Sequence, residues 1–167
     1  MLDTRPHSPR FPAAGMQRAR GDARVGLICD TSGAAPRMRL TDLRQVGSAK
    51  AMLPHVGGLP EVVFLNTAGG LTGGDRLSYA VTLEGACRAV ATTQTAERAY
   101  RSTAGVAEVE VRHQLGRGAH LDWLPQETIL FEGADLIRET RIDLGVRFLA
   151  DFLQAFEQGL AVGGGEG

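Results

Sequence analysis

The chain has 167 residues, of which 43% are hydrophobic and 22% charged, and its formal net charge is -1. This is the composition of a soluble globular domain with enough chain to bury one core. It provides no global basic field for nucleic acid or an anionic membrane, and no apolar run approaches the roughly 18 residues of a membrane span.

Residues 1–22 scatter Arg5, Arg10, Arg18 and Arg20 among Pro6, Pro9 and Pro12 without an apolar run. That pattern is not a secretory signal; it reads as a disordered tail, with a transit peptide as the alternative. The β domain is expected over 23–145. Val25 to Cys29 is apolar, and Met38 and Leu40 alternate with Arg37 and Arg39. Val62 to Leu65 is a short continuous apolar run, the pattern of a strand buried on both faces. Leu77, Tyr79, Val81 and Leu83 share one face of a strand, with Ser78, Thr82 and Glu84 on the other. Val109 and Val111 alternate with Glu108, Glu110 and Arg112; Thr140, Ile142 and Leu144 oppose Glu139, Arg141 and Asp143. Glycine-containing turns separate these pieces, so the fold class is mainly β, and no internal repeat of fixed period is visible. One helix is expected, an amphipathic segment over 149–160 with Leu149, Phe152, Leu153, Phe156 and Leu160 on one stripe, followed by a glycine tail to 167.

Candidate chemistry is sparse. The loop from Asn66 to Asp75 contains Gly69, Gly70, Gly73 and Gly74, and such backbone can form an anion-binding nest. It lacks the ending of a P-loop and the spacing of a dinucleotide loop, and a strand follows it where a phosphate site would offer a helix N-terminus. A tight irregular turn is the simpler reading. His7, His55, His113 and His120 make no metal-binding spacing, and no nucleophile elbow occurs. Cys29 and Cys87 are far apart, form no CxxC pair and sit among apolar residues, which suits free thiols in a reducing cytoplasm. Lys50 is the only lysine among 18 basic residues. That bias suits either an arginine-rich interaction surface or a GC-rich genome.

Four stretches in order carry a resemblance: 47–51 with Pro54, 65–75, 92–102 and 121–131. They resemble the urease accessory protein family UreD (also called UreH), and residues 16–25 and 40–44 fit the same family. The resemblance implies a mostly β fold of strands stacked in a helical, sandwich-like arrangement with few helices. It implies a non-enzymatic partner of the urease apoprotein that acts with UreF and the GTPase UreG in nickel delivery. It implies no stably bound cofactor, with nickel at most in transit, and no nucleic-acid or membrane partner. The residues that carry the motifs are Lys50, Asn66, Thr67, Gly69, Gly70, Thr72, Gly73, Gly74, Asp75, Gln94, Glu97, Arg101, Trp123, Pro125, Gln126 and Glu127. Their expected role is structural or partner-binding, and no catalytic residue or metal ligand is assigned. After about Leu144 the sequence departs from the family pattern, as a truncated or divergent short member would. The competing readings are a small anion-binding enzyme using the Gly69 to Gly74 loop, and an inactive fragment.

Overall fold

The structure, a computed structural model, describes residues 18–30, 37–54 and 58–145. The helix expected over 149–160 and the terminal glycines lie outside those residues. Within them every regular element is a strand. β1 (Arg20–Asp30) and β2 (Arg37–Gly47) form an antiparallel hairpin. β1 begins at Arg20, and its alternation buries Ala23, Val25 and Leu27. β3 (Ala49–Met52) and β4 (Glu61–Asn66) form a second antiparallel pair in a different sheet.

From β4 onward every new pairing between strands is parallel. β5 (Arg76–Glu84), β6 (Arg88–Thr93) and β7 (Glu97–Ala99) pass through three sheets in turn. β8 (Ala107–Leu115), β9 (His120–Leu124) and β10 (Thr128–Leu130) repeat the circuit, and β11 (Leu136–Leu144) opens the next. Each strand pairs with its counterpart one circuit later: Arg76 with Glu108, Arg88 with His120, Glu97 with Thr128. A circuit takes between 29 residues, as from Glu61 to Val90, and 32, as from Arg76 to Glu108. The chain is therefore a coil of stacked rungs, the helical β arrangement that the resemblance implied. No fixed period was visible in the sequence because the rungs differ in length and share a hydrophobic pattern rather than residues.

The inward faces of the sheets fill the coil. β5 contributes Leu77, Tyr79, Val81 and Leu83, and β8 contributes Ala107, Val109, Val111 and His113, all buried. Against them stand Val62 and Phe64 of β4 and the small Ala89 and Ala91 of β6. Each large apolar side chain so buried stabilises the fold by about 1.5–3 kcal/mol. β4 departs from expectation: Val63 and Leu65 are only half-buried, so the run is buried on one face. Outward positions carry exposed ion pairs such as Arg76–Glu108 at 3.1 Å and Arg44–Asp22 at 2.9 Å. Pairs of that kind contribute little to stability.

Candidate functional site

The glycine loop joins β4 to β5 and is bonded to its neighbours through its own amides. Leu71 N–H donates to Arg98 O at 2.7 Å, Gly74 N–H to Val106 O at 2.9 Å, and Asp75 N–H to Thr72 O at 3.1 Å. Thr72 N–H donates to Asp75 Oδ2 at 2.8 Å, while Asp75 Oδ1 accepts from Ala19 N–H at 2.7 Å. Asp75 is thus a buried carboxylate that ties the loop to the start of β1, each of its oxygens accepting from a backbone N–H. Thr72 Oγ1 donates to Arg101 O at 3.0 Å, and Thr67 Oγ1 to Ser48 O at 3.0 Å. An anion nest needs free, convergent amides; here the amides of Leu71, Thr72, Gly74 and Asp75 already have partners. Gly73 is required by space, since a Cβ there would collide with Ser102 Oγ and with the carbonyl oxygens of Ala104 and Gly105. Gly69 is required by conformation, with φ at +79° and open space around it.

Beside this loop the coil interior turns polar. Asn66 Nδ2 donates to Glu97 Oε1 at 3.3 Å and to Gly70 O at 3.2 Å, and Asn66 Oδ1 accepts from Ala68 N–H at 3.0 Å. Burial raises the Glu97 carboxyl above the usual carboxylate range, against the lowering effect of the Asn66 bond and of Arg138. Burial also pushes the Tyr79 hydroxyl up, and the Glu97 charge adds to the shift. Thr93, Gln94, Thr95 and Arg138 add to the polar lining, with Phe64, Leu65 and Val109 on the apolar side. Thr95, at φ 57°, is the only non-glycine residue with left-handed backbone among the described residues, a costly state for a β-branched side chain. The recess offers about 20 Å³, enough for one water and too little for an organic substrate.

Deeper in the coil, His113 is fully buried. Its Nδ1 accepts from Val81 N–H at 3.2 Å, so the neutral ring carries its proton on Nε2, which is buried without a partner. Burial lowers its pKa from 6.5 to about 4, which keeps the ring neutral at physiological pH.

The last strand of each sheet forms an open rung among the described residues: β9, β10 and β11 each have one neighbour. Large apolar side chains stand in water there, with Leu124 and Ile137 59% exposed and Leu130 65% exposed. Tyr100 and Phe131 stack at the same corner, ring centroids 5.1 Å apart.

The predicted site residues therefore divide. Asn66, Gln94 and Glu97 converge on the recess, and Thr67, Gly69, Gly70, Thr72, Gly73, Gly74 and Asp75 form the bonded loop with Arg101 beside it. Trp123 packs in the core against His113 and Phe64. Pro125, Gln126 and Glu127 are exposed on the corner before β10, held by Gln126 N–H to Thr93 Oγ1 at 2.9 Å and Glu97 N–H to Glu127 O at 3.0 Å. Lys50 lies apart on β3. Sequence reasoning missed Tyr79 and Arg138 as members of the recess. Tyr79 was legible only as a core residue, and Arg138 lies 41 positions beyond Glu97.

Comparison with known proteins follows the same residues. Residues 19–149 match the family UreD urease accessory protein. The chain is 63% identical over 133 residues to a urease accessory protein UreD of Cereibacter sphaeroides, covering 79% of this chain and 47% of that one. It is 53% identical over 148 residues to the UreD of Paracoccus denitrificans, covering 86% and 50%. With the UreD of Rhizobium etli the identity is 48% over 117 residues, covering 68% and 43%. The chain spans about half the length of the curated relatives it matches.

Proposed function

Because the chain belongs to the UreD family of urease accessory proteins, we propose that it serves urease maturation in the cytoplasm by binding other proteins and not by catalysis. It binds the urease apoprotein and, with UreF and the GTPase UreG, supports nickel insertion into the urease active site. Nickel is cargo in this reading, in transit and not stably held. The observation that carries the reading is the family match over residues 19–149. Two features of the site support it. The exposed apolar rung of Leu124, Leu130 and Ile137 supplies the surface that protein partners bury. The glycine loop spends its amides on its own chain, which disfavours the anion-binding enzyme.

The test mixes the purified full chain with urease apoprotein, alone and with UreF and UreG, and follows the mixture by size-exclusion chromatography with light scattering. Co-elution with the apoprotein, and faster nickel-dependent activation of urease in the complete mixture, are expected. Separate elution together with unchanged activation overturns the reading.

A further inference from the structure

Cys29 and Cys87 are 58 positions apart in sequence, yet the coil brings them together with a third sulfur. Cys29 of β1 is the cross-strand partner of Met38 of β2, so the two side chains share a face of the hairpin. Both pack against the core while remaining partly exposed. Cys87, in the turn between β5 and β6, is fully buried beneath them. Its Sγ lies 3.3 Å from Met38 Sδ, and Met38 is in turn the cross-strand partner of Cys29. The Cys87 thiol also reaches Glu84 O at 3.0 Å. Both cysteines are free.

We propose that Cys29, Met38 and Cys87 form a binding site for a soft monovalent metal ion, Cu(I) by its chemistry. The donor set is two thiols and one thioether. Sulfur ligands of this kind select Cu(I), whereas Zn(II) takes four ligands from Cys, His and carboxylates. No third His, Cys, Asp or Glu joins the two cysteines among the described residues. The backbone already presents the three sulfurs to one another, because the β1–β2 register and the β5–β6 turn fix their carriers. Cys29 and Met38, partly exposed, give the ion a way in. Binding forms two Cu–thiolate bonds and one Cu–thioether bond and releases the two thiol protons; no electron is transferred. This site is independent of the urease reading.

The test is an anaerobic competition on the reduced full chain, with Cu(I) supplied as its bicinchoninate complex. The chain should withdraw one Cu(I), releasing protons in step, and should leave Zn(II) and Ni(II) with a comparable chelator. Because Cys87 is fully buried, its replacement can unfold the chain, and the deciding variants are Cys29→Ser and Met38→Leu, checked for native β signal by circular dichroism. Each should weaken Cu(I) binding by at least the roughly 10- to 100-fold that loss of an outer-shell partner costs. No withdrawal of copper, equal affinity in folded Cys29→Ser, or Zn(II) held as tightly as Cu(I) overturns the proposal.

Discussion

The imidazole of His113 packs against the indole of Trp123 with ring centroids 4.7 Å apart and planes at 65°. This edge-to-face contact joins two strands of different sheets, β8 and β9, across the coil. The pairing fixes a histidine where water cannot reach it, and its consequence is a dependence of stability on pH. The folded pKa of about 4 lies below the ordinary 6.5, so between those values the unfolded chain binds the proton and the folded chain does not. The histidine's contribution to stability is full above pH 6.5 and falls by about 3 kcal/mol as pH drops toward 4. Urea midpoints at pH 7.5 and 5 measure the fall. His113→Phe should lower both midpoints, since Val81 N–H loses its acceptor, but should remove this histidine's share of the difference between them. An unchanged difference would place the titration elsewhere.

Glu97 works in the opposite direction. Its carboxyl is raised by burial, so the folded chain holds a proton more tightly than the unfolded one. Its charge therefore costs stability as pH rises above the ordinary range near 4.5. Glu97→Gln keeps an acceptor for Asn66 Nδ2 and should raise the urea midpoint at pH 7.5, with the gain shrinking toward pH 4. A loss at pH 7.5 would show that the favourable charge of Arg138 outweighs the burial of Glu97.

What was legible in the sequence follows from how local each signal is. β5 could be read residue by residue, because Leu77, Tyr79, Val81 and Leu83 stand in strict alternation against one core. β7 and β10 have three residues each, too few to show a period, and they exist because the coil must turn a corner there. Parallel pairing at 29 to 32 residues leaves no local trace, so strands were visible and the rungs were not. The recess failed for the same reason: Asn66, Glu97 and Arg138 belong to three different passes of the chain. The strand after the glycine loop was legible, and it leaves no helix N-terminus there for a phosphate.

Gly73 and Gly69 separate space from conformation. Gly73→Ala drives a methyl into two backbone carbonyls and Ser102 Oγ, and should cost several kcal/mol, near the top of the range for point changes. Gly69→Ala meets open space and should cost about 1–2 kcal/mol, from the left-handed backbone alone. Adding Ser102→Gly to Gly73→Ala should recover little, because the carbonyls of Ala104 and Gly105 stay. Denaturant midpoints of the three variants give the order, and equal costs at Gly69 and Gly73 would contradict it.

The register of β5 is tested by a neighbouring pair. Val81→Asp places a carboxylate on the fully buried inner face and should cost several kcal/mol or abolish soluble protein. Thr82→Asp on the half-buried outer face should cost far less. Soluble yield and melting temperature decide it, and similar losses from both would shift the strand by one residue.

The open rung should make the chain self-associate. Ile129, Leu130 and Phe131 follow one another in or just after β10, all exposed, with no charge among them, on a strand that among the described residues is the edge of a two-stranded sheet. An uncharged apolar edge is a template for another strand. At the other end of the coil β2 is also an edge with exposed Leu40, Leu43 and Val46, but Arg39, Asp42 and Arg44 lie among them, and charges blunt an edge. Leu130→Lys should therefore lower self-association, while Leu43→Lys should leave it nearly unchanged. Burying one leucine is worth about 1.5–3 kcal/mol, which corresponds to roughly a tenfold or greater weakening at Leu130. Sedimentation velocity across a concentration series reads the effect. Association that survives Leu130→Lys and disappears in Leu43→Lys would mean that the chain pairs through its β2 end.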